Sequence, residues 1–126
     1  MCLQDEINIT QKLTLPDERC FVHGDLDGRH LVFENKKLTG IIDWGDTDIT
    51  NRSADLDVIW SFFPENCHKK FFEIYGTVES DTWKYARFLG LYTAFSLMLY
   101  GSDLKDNMLF IESIESVKRI NPELLI

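Results

Sequence analysis

The sequence predicts an α+β fold: a small β-hairpin layer comes first and packs on a helical bundle. Three observations predict it. Up to Pro64, short strand-like runs alternate with Gly and Asp. Beyond Pro64, helix formers dominate and apolar residues recur at helical spacing. The chain has 126 residues, 44% of them hydrophobic, which is enough for one core and too few for two ordinary domains.

The elements follow in order. Residues 3 to 13 form a weak helix candidate: Leu3 and Ile7 share a face, but Asn8, Ile9 and Thr10 are poor helix formers. Pro16 and Asp17 break the chain. Cys20-Phe21-Val22 reads as a short buried strand that ends at His23-Gly24-Asp25. Leu31 to Phe33 and Leu38 to Ile42 flank the polar turn Glu34 to Lys37, a hairpin. Asp43 to Asn51 reads as an acid-rich loop. Ser53 is the expected cap of a helix to about Phe63, with Leu56, Ile59, Trp60 and Phe63 on one face. A helix near Asn66 to Tyr75 should bury Phe71, Phe72 and Tyr75. Ser80 and Asp81 are placed to cap a long apolar helix to about Tyr100. Asp103 is placed to cap a last helix carrying Leu104, Met108, Ile111, Ile114 and Val117, closed by Pro122.

Composition narrows the function. Acidic residues number 21 and basic residues 13, a net charge of −8. That balance argues against a nucleic-acid or anionic-membrane surface, because both need clustered Lys and Arg. It suits a cationic ligand or a metal. Cys2, Cys20 and Cys67 form no CxxC pair, so a reducing cytoplasm fits best. Met1 to Leu15 carries Asp5, Glu6 and Lys12 and has no apolar stretch of the kind a secretion signal needs. The longest uncharged run, Phe88 to Ser102, is shorter than the ~20 residues of a membrane span and reads as a core helix.

The informative stretch is His23 to Asp57. His23-Gly24-Asp25-Leu26-Asp27-Gly28-Arg29-His30 lies between two candidate strands, and Ile41-Ile42-Asp43-Trp44-Gly45-Asp46 ends the next. Phosphoryl transfer needs one carboxylate to hold an acceptor hydroxyl, and a second acid with a neutral ligand to hold Mg²⁺ on the phosphates. Protein kinases place these groups in an H-R-D-x-x-x-x-N loop and a D-F-G turn separated by a hairpin. Here Asp25 follows His23 at the kinase spacing. His30 stands where the Asn would be, and Asp43-Trp44-Gly45 has the form of D-F-G. A hairpin between the two pieces would bring Asp25, His30 and Asp43 to one rim.

These residues, with His30-Leu31-Val32 and Asp55-Leu56, resemble the aminoglycoside phosphotransferase family, in the branch with His in place of the loop Asn. The resemblance is strong over residues 20 to 60. It implies a protein-kinase-like C-terminal lobe and a phosphoryl transfer from ATP or GTP, with Mg²⁺, to a hydroxyl of a small molecule. It implies Asp25 as the catalytic base, His30 and Asp43 at the metal, His23 bracing the loop, and Asp55 hydrogen-bonded to the loop backbone.

The departures are specific. The seven glycines form no GxGxxG, and no V-A-I-K-like Lys precedes the loop. Residues 1–126 are therefore expected to be a C-lobe alone, without the N-lobe that completes the nucleotide site. Two alternatives stand beside the kinase. One is an inactive remnant or half of a split kinase, whose interlobe face would be apolar and associate with itself or with a missing N-lobe partner. The other is a hydrolase using His23, Asp25, His30 and Asp43 as metal ligands. His68 is expected in solvent and Cys20 as a small core residue.

Overall fold

A computed structural model describes residues 1–125. Helix α1 spans Leu3–Gln11. Strand β1, Cys20–Val22, leads into the loop, and β2, Leu31–Glu34, and β3, Lys37–Ile41, follow it. Strand β4 is Asp48–Thr50. The helices α2, Ser53–Ser61, α3, His68–Tyr75, α4, Ser80–Leu104, and α5, Asn107–Ile120, complete the chain. The architecture is α+β, two small antiparallel ribbons on a helical bundle.

The ribbon β2–β3 pairs Leu31 with Ile41 and Glu34 with Lys37. Asn35 and Lys36 between them both have left-handed backbone, with φ 50° and 65°. Two such residues make the hairpin turn whose twist matches its strands. The other ribbon pairs Phe21 with Ile49 and Val22 with Asp48. Strand β4 lies inside the segment expected to be loop. The acid-rich run ahead of it hides it, because its pairing comes from β1, almost thirty residues earlier, and not from a local apolar pattern. Strand β1 is also less buried than expected: Val22 is 2% exposed but Phe21 70%. A two-stranded ribbon has one covered face, so alternate side chains meet water.

Helix α4 is the central support, with α2 and α5 packed along it. Leu91 and Ala94 from α4 meet Val117 and Ile120 from α5, flanked by Trp60, Phe95 and Met98. At Gly101 an added Cβ would come within 2.9 Å of the Phe110 nitrogen, so only glycine lets α5 start this close. The caps differ from the sequence expectation. Helix α4 runs past Tyr100 to Leu104, and Asp106, not Asp103, receives the Leu109 N–H that opens α5. Asp81 accepts the Thr14 N–H, and Asn51 takes the Ser53 N–H. The inner face of α5 is Ser113, Val117 and Ile120, which leaves Met108 and Ile111 exposed. Tyr75 is likewise exposed.

A buried charge ties both ends of the chain to α4. Glu6 on α1 pairs with Arg87, and Asn121 donates to Glu6 Oε1 at 2.9 Å and to the Met1 carbonyl at 2.9 Å. Arg87→Ala leaves that carboxylate buried and short of its cation. The expected cost is ~3 kcal/mol in a urea unfolding measurement, since stranding one member of a buried pair is far dearer than losing a surface one. A loss below ~1 kcal/mol would show that Glu6 is solvated instead.

Candidate active site

The site begins where β1 ends. Asp55, in the first turn of α2, accepts the backbone N–H of His23 at 2.8 Å and of Gly24 at 3.0 Å. Gly24 has φ +89°, and a Cβ there would fall 2.2 Å from the Asp46 carbonyl oxygen. No other residue fits that corner. The buried His23 ring accepts the Asp25 N–H at Nδ1, 3.1 Å, and donates from Nε2 to the Ile42 carbonyl, 2.7 Å. Both nitrogens are thus used internally, one as donor and one as acceptor, and no lone pair remains for a metal. This removes His23 from the hydrolase ligand set. Trp44 covers the ring at 4.6 Å and donates to the Ile41 carbonyl at 2.8 Å.

A single 3₁₀ turn, Gly28–His30, follows, and Asp27 caps it by accepting the Arg29 N–H. It carries the His30 side chain inward, where the ring is buried. Its Nδ1 donates to the Asp25 carbonyl at 2.6 Å, with the Asp25 carboxylate 3.9 Å away. Its Nε2 faces the Asp43 carboxylate at 3.2 Å. Asp43 itself has φ 65°, a left-handed backbone that aims its side chain back at the ring. The structure therefore brings Asp25, His30 and Asp43 to one rim, with the Asp43 carboxylate largely open to solvent.

With Nδ1 donating, Nε2 turns its lone pair toward the Asp43 carboxylate, so the two can serve together as ligands of one cation. Adjacent ligands on an octahedral Mg²⁺ at 2.0–2.1 Å stand roughly 3 Å apart. The pair fits that spacing. Mg²⁺ is commonly held by one or two protein groups with phosphate and water oxygens filling the rest, and the exposed side of Asp43 leaves room for them.

Sequence reasoning missed Asp27 as a member of this cluster. Ligating atoms of Asp25, Asp27 and His30 lie within 4.8 Å of one another. Asp27 is not free, however: Arg29 donates its backbone N–H and Nε to Oδ1 and its Nη2 to Oδ2, at 2.8, 3.1 and 2.8 Å. Burial works against the carboxylate, but these bonds prevail and hold its pKa below the ordinary value. An Asp just ahead of a short turn, two residues before an Arg, is the signal that could have found it.

Two further side chains depart from expectation. His68 is not in solvent. It sits edge-on to Trp60 and Trp83, at 4.8 and 5.4 Å, and its Nε2 lies 3.2 Å from the Ile59 carbonyl. Asp57, on the buried side of α2, is 7% exposed, and its Oδ1 has no partner among the described residues. Burial, then the nearby Asp55 carboxylate, pushes its pKa well above the ordinary range.

The profile of a phosphotransferase enzyme family matches residues 3–89. Aminoglycoside 3'-phosphotransferases of Escherichia coli and Salmonella typhimurium are each 36% identical over 62 residues, 47% of this chain and 23% of theirs. The chain thus spans about a quarter of those relatives. Among solved structures, the GDP and kanamycin complex of APH(2")-IIia aligns over 96% of this chain and 44% of that one, with TM-score 0.64 and 23% identity. The gentamicin–APH(2")-IIa complex covers 87% of this chain and 37% of that one, at TM-score 0.50 and 22% identity. These likenesses carry the fold.

Asp57 gives the site's supporting helix a pH dependence. Its carboxyl holds a proton more tightly folded than unfolded. Below the ordinary carboxylate range both states are protonated. As pH rises through that range the unfolded chain ionises first, and stability falls until the folded group ionises as well. Asp57→Asn is expected to melt a few degrees above the native protein at pH 7, with the gap closing by about pH 4 in calorimetric scans. A gap of equal size at both pH values would contradict this.

Proposed function

Since the chain belongs to the phosphotransferase enzyme family, we propose that it carries the catalytic rim of a small-molecule kinase. It would move the terminal phosphoryl group of ATP or GTP to a hydroxyl of an aminoglycoside-like or similar acceptor. One observation carries the reading: Asp25, His30 and Asp43 converge on one rim, held from behind by Asp55 and His23. The proteins it resembles support the acceptor class, two of them solved with kanamycin or gentamicin.

Asp25 is the catalytic base. Its partly exposed carboxylate orients the acceptor hydroxyl and takes the proton as the new O–P bond forms and the bond to the β-phosphate oxygen breaks. His30 and Asp43 would hold Mg²⁺, which would supply positive charge against the phosphates. Asp55 and His23 keep the loop in place and do no chemistry. Residues 1–126 carry no Gly-rich phosphate loop and no V-A-I-K lysine. Among the described residues no helix is long and apolar enough to cross a membrane, and the three free cysteines support a reducing cytoplasm.

A second reading is favoured by apolar side chains on the two ribbons and the segment that carries Asp43. Phe21, Phe33, Leu38, Ile42, Trp44 and Ile49 are all exposed. Exposed apolar side chains of this kind suit a catalytically inactive C-lobe remnant, or half of a split kinase, that binds a second copy or an N-lobe partner.

Calorimetric titration with Mg²⁺ and ATP or GTP separates the two. Heat is expected from the native chain, and about tenfold weaker affinity from Asp43→Asn. Asp25→Asn should keep that affinity and lower phosphoryl transfer to kanamycin by about 10²-fold or more. Heat that is the same in native protein and Asp43→Asn removes the metal assignment. No heat at all, with self-association in light scattering, decides for the second reading.

A further inference from the structure

Between β1, α2 and α3 lies a cavity of about 280 Å³. That is just under the ~300–1,000 Å³ of ordinary ligand sites and suits a molecule with a single ring. Its apolar walls are chiefly Val22, Leu56, Val58, Ile59 and Phe71. Phe71 stacks on Tyr75, with ring centroids 4.8 Å apart and planes at 21°. Tyr75 and Phe21 also line the cavity and are exposed. Ring faces of this kind favour an aromatic guest by offset stacking. Among the described residues, Asp25, His30 and Asp43 take no part in the lining, so the cavity is separate from the rim.

The polar groups decide what this cavity suits. Arg52 and Tyr75 stand in its wall together with Asp55. Arg52 Nη2 is engaged, donating to the Thr77 carbonyl at 3.2 Å and to the Glu79 carboxylate at 2.9 Å. Its Nη1 has only the Tyr75 hydroxyl, at 3.5 Å, and so keeps a donor for an oxygen of a guest. An anion is disfavoured: Glu18, Glu79 and Asp55 set three carboxylates against the one guanidinium. A cation finds no idle acceptor either, since Arg52 holds both glutamates and Asp55 holds two amides.

The cavity also shares its walls with the anchor of the catalytic loop. Val22 directly precedes His23, Leu26 comes from the loop itself, and Asp55 carries the His23 and Gly24 N–H groups. Moving β1 away from α2 would break both of those bonds and open the cavity in the same step. A guest that needs the closed cavity therefore opposes release of the loop.

We propose that this cavity binds a neutral, single-ring aromatic molecule with one oxygen acceptor, and that the bound molecule holds the loop on Asp55. The site is separate from the one where phosphoryl transfer is proposed, and the inference stands without that reading.

Saturation-transfer NMR on the full chain tests it with two probes, acetophenone and benzoate. Saturation is expected to reach acetophenone in the native protein, with benzoate binding about tenfold more weakly. The acetophenone signal should be lost in Ile59→Trp, which fills the cavity from α2. Cys20→Phe fills it from β1 should the first variant fail to fold by circular dichroism. Amide hydrogen exchange on the native protein gives a readout that needs no variant. With acetophenone at ten times its Kd, exchange at His23 and Gly24 should slow about tenfold, and exchange at Leu109, capped by Asp106 on α5, should not change. An absent acetophenone signal, or one that survives in a folded filled variant, overturns the proposal. Benzoate binding as tight as acetophenone overturns the ligand class. Binding that leaves His23 and Gly24 exchange unchanged, or slows Leu109 equally, overturns the hold on the loop. Neither probe needs nucleotide or metal, so these outcomes are independent of the Asp43-dependent heat that tests the phosphotransferase reading.

Discussion

Two backbone N–H groups on one carboxylate organise this molecule. Asp55 projects from the first turn of α2 and takes the amides of His23 and Gly24 together. An ionised acceptor with two donors is stronger than two neutral bonds, and it fixes a direction as well as a distance. The loop cannot slide along the helix without losing both. From this anchor the rest follows outward: the His23 ring spans to Ile42, which sets where Asp43 leaves its strand, and the Asp25 carbonyl sets the His30 ring. Side chains from two separate chain segments thus meet within hydrogen-bonding range on a rim built mainly of loop.

The bundle supplies what such a loop lacks, a fixed floor. Helix α2 carries Asp55 on the loop side, Leu56 and Val58 inward, and Trp60 against the α4–α5 core. Arg52, just ahead of it, pairs with Glu18 and Glu79 and lies over the Tyr75 ring, so α2 is also tethered to the segments on either side. Glu6, Arg87 and Asn121 do the same between α1, α4 and the last turn of the chain. Directional polar contacts place the site, and apolar burial keeps the helices still beneath it.

Much of the site was legible because its chemistry dictates spacing. His23, Asp25 and His30 sit at fixed intervals in one short run, and a hairpin of obvious turn composition returns the chain to Asp43. The helical half was legible for another reason, the period of its apolar residues. What escaped lies where partners are distant in sequence. Strand β4 ends an acid-rich run and exists because β1 pairs with it. Asp57 looks like any polar residue of a helix, and nothing local says that it is buried without a partner. Met108 and Ile111 keep helical spacing yet face solvent, because Ser113 and Gly101 let α5 dock by a different stripe. Asp27 stands in the run from His23 to His30, but its clamp by Arg29 depends on the tight turn between them.

Position 43 shows how narrow the sequence choice becomes at such a rim. Its backbone is left-handed, a conformation that costs an ordinary residue roughly 1–2 kcal/mol and that Asp and Asn tolerate better than most. Glycine would relax the backbone and abolish the oxygen that faces His30; Glu would keep a carboxylate but resist the turn. Drift at this site is therefore confined to two side chains, and only one of them carries charge. Reading position 43 alone in a diverged sequence, Asp against Asn, would indicate whether the rim still presents an anion.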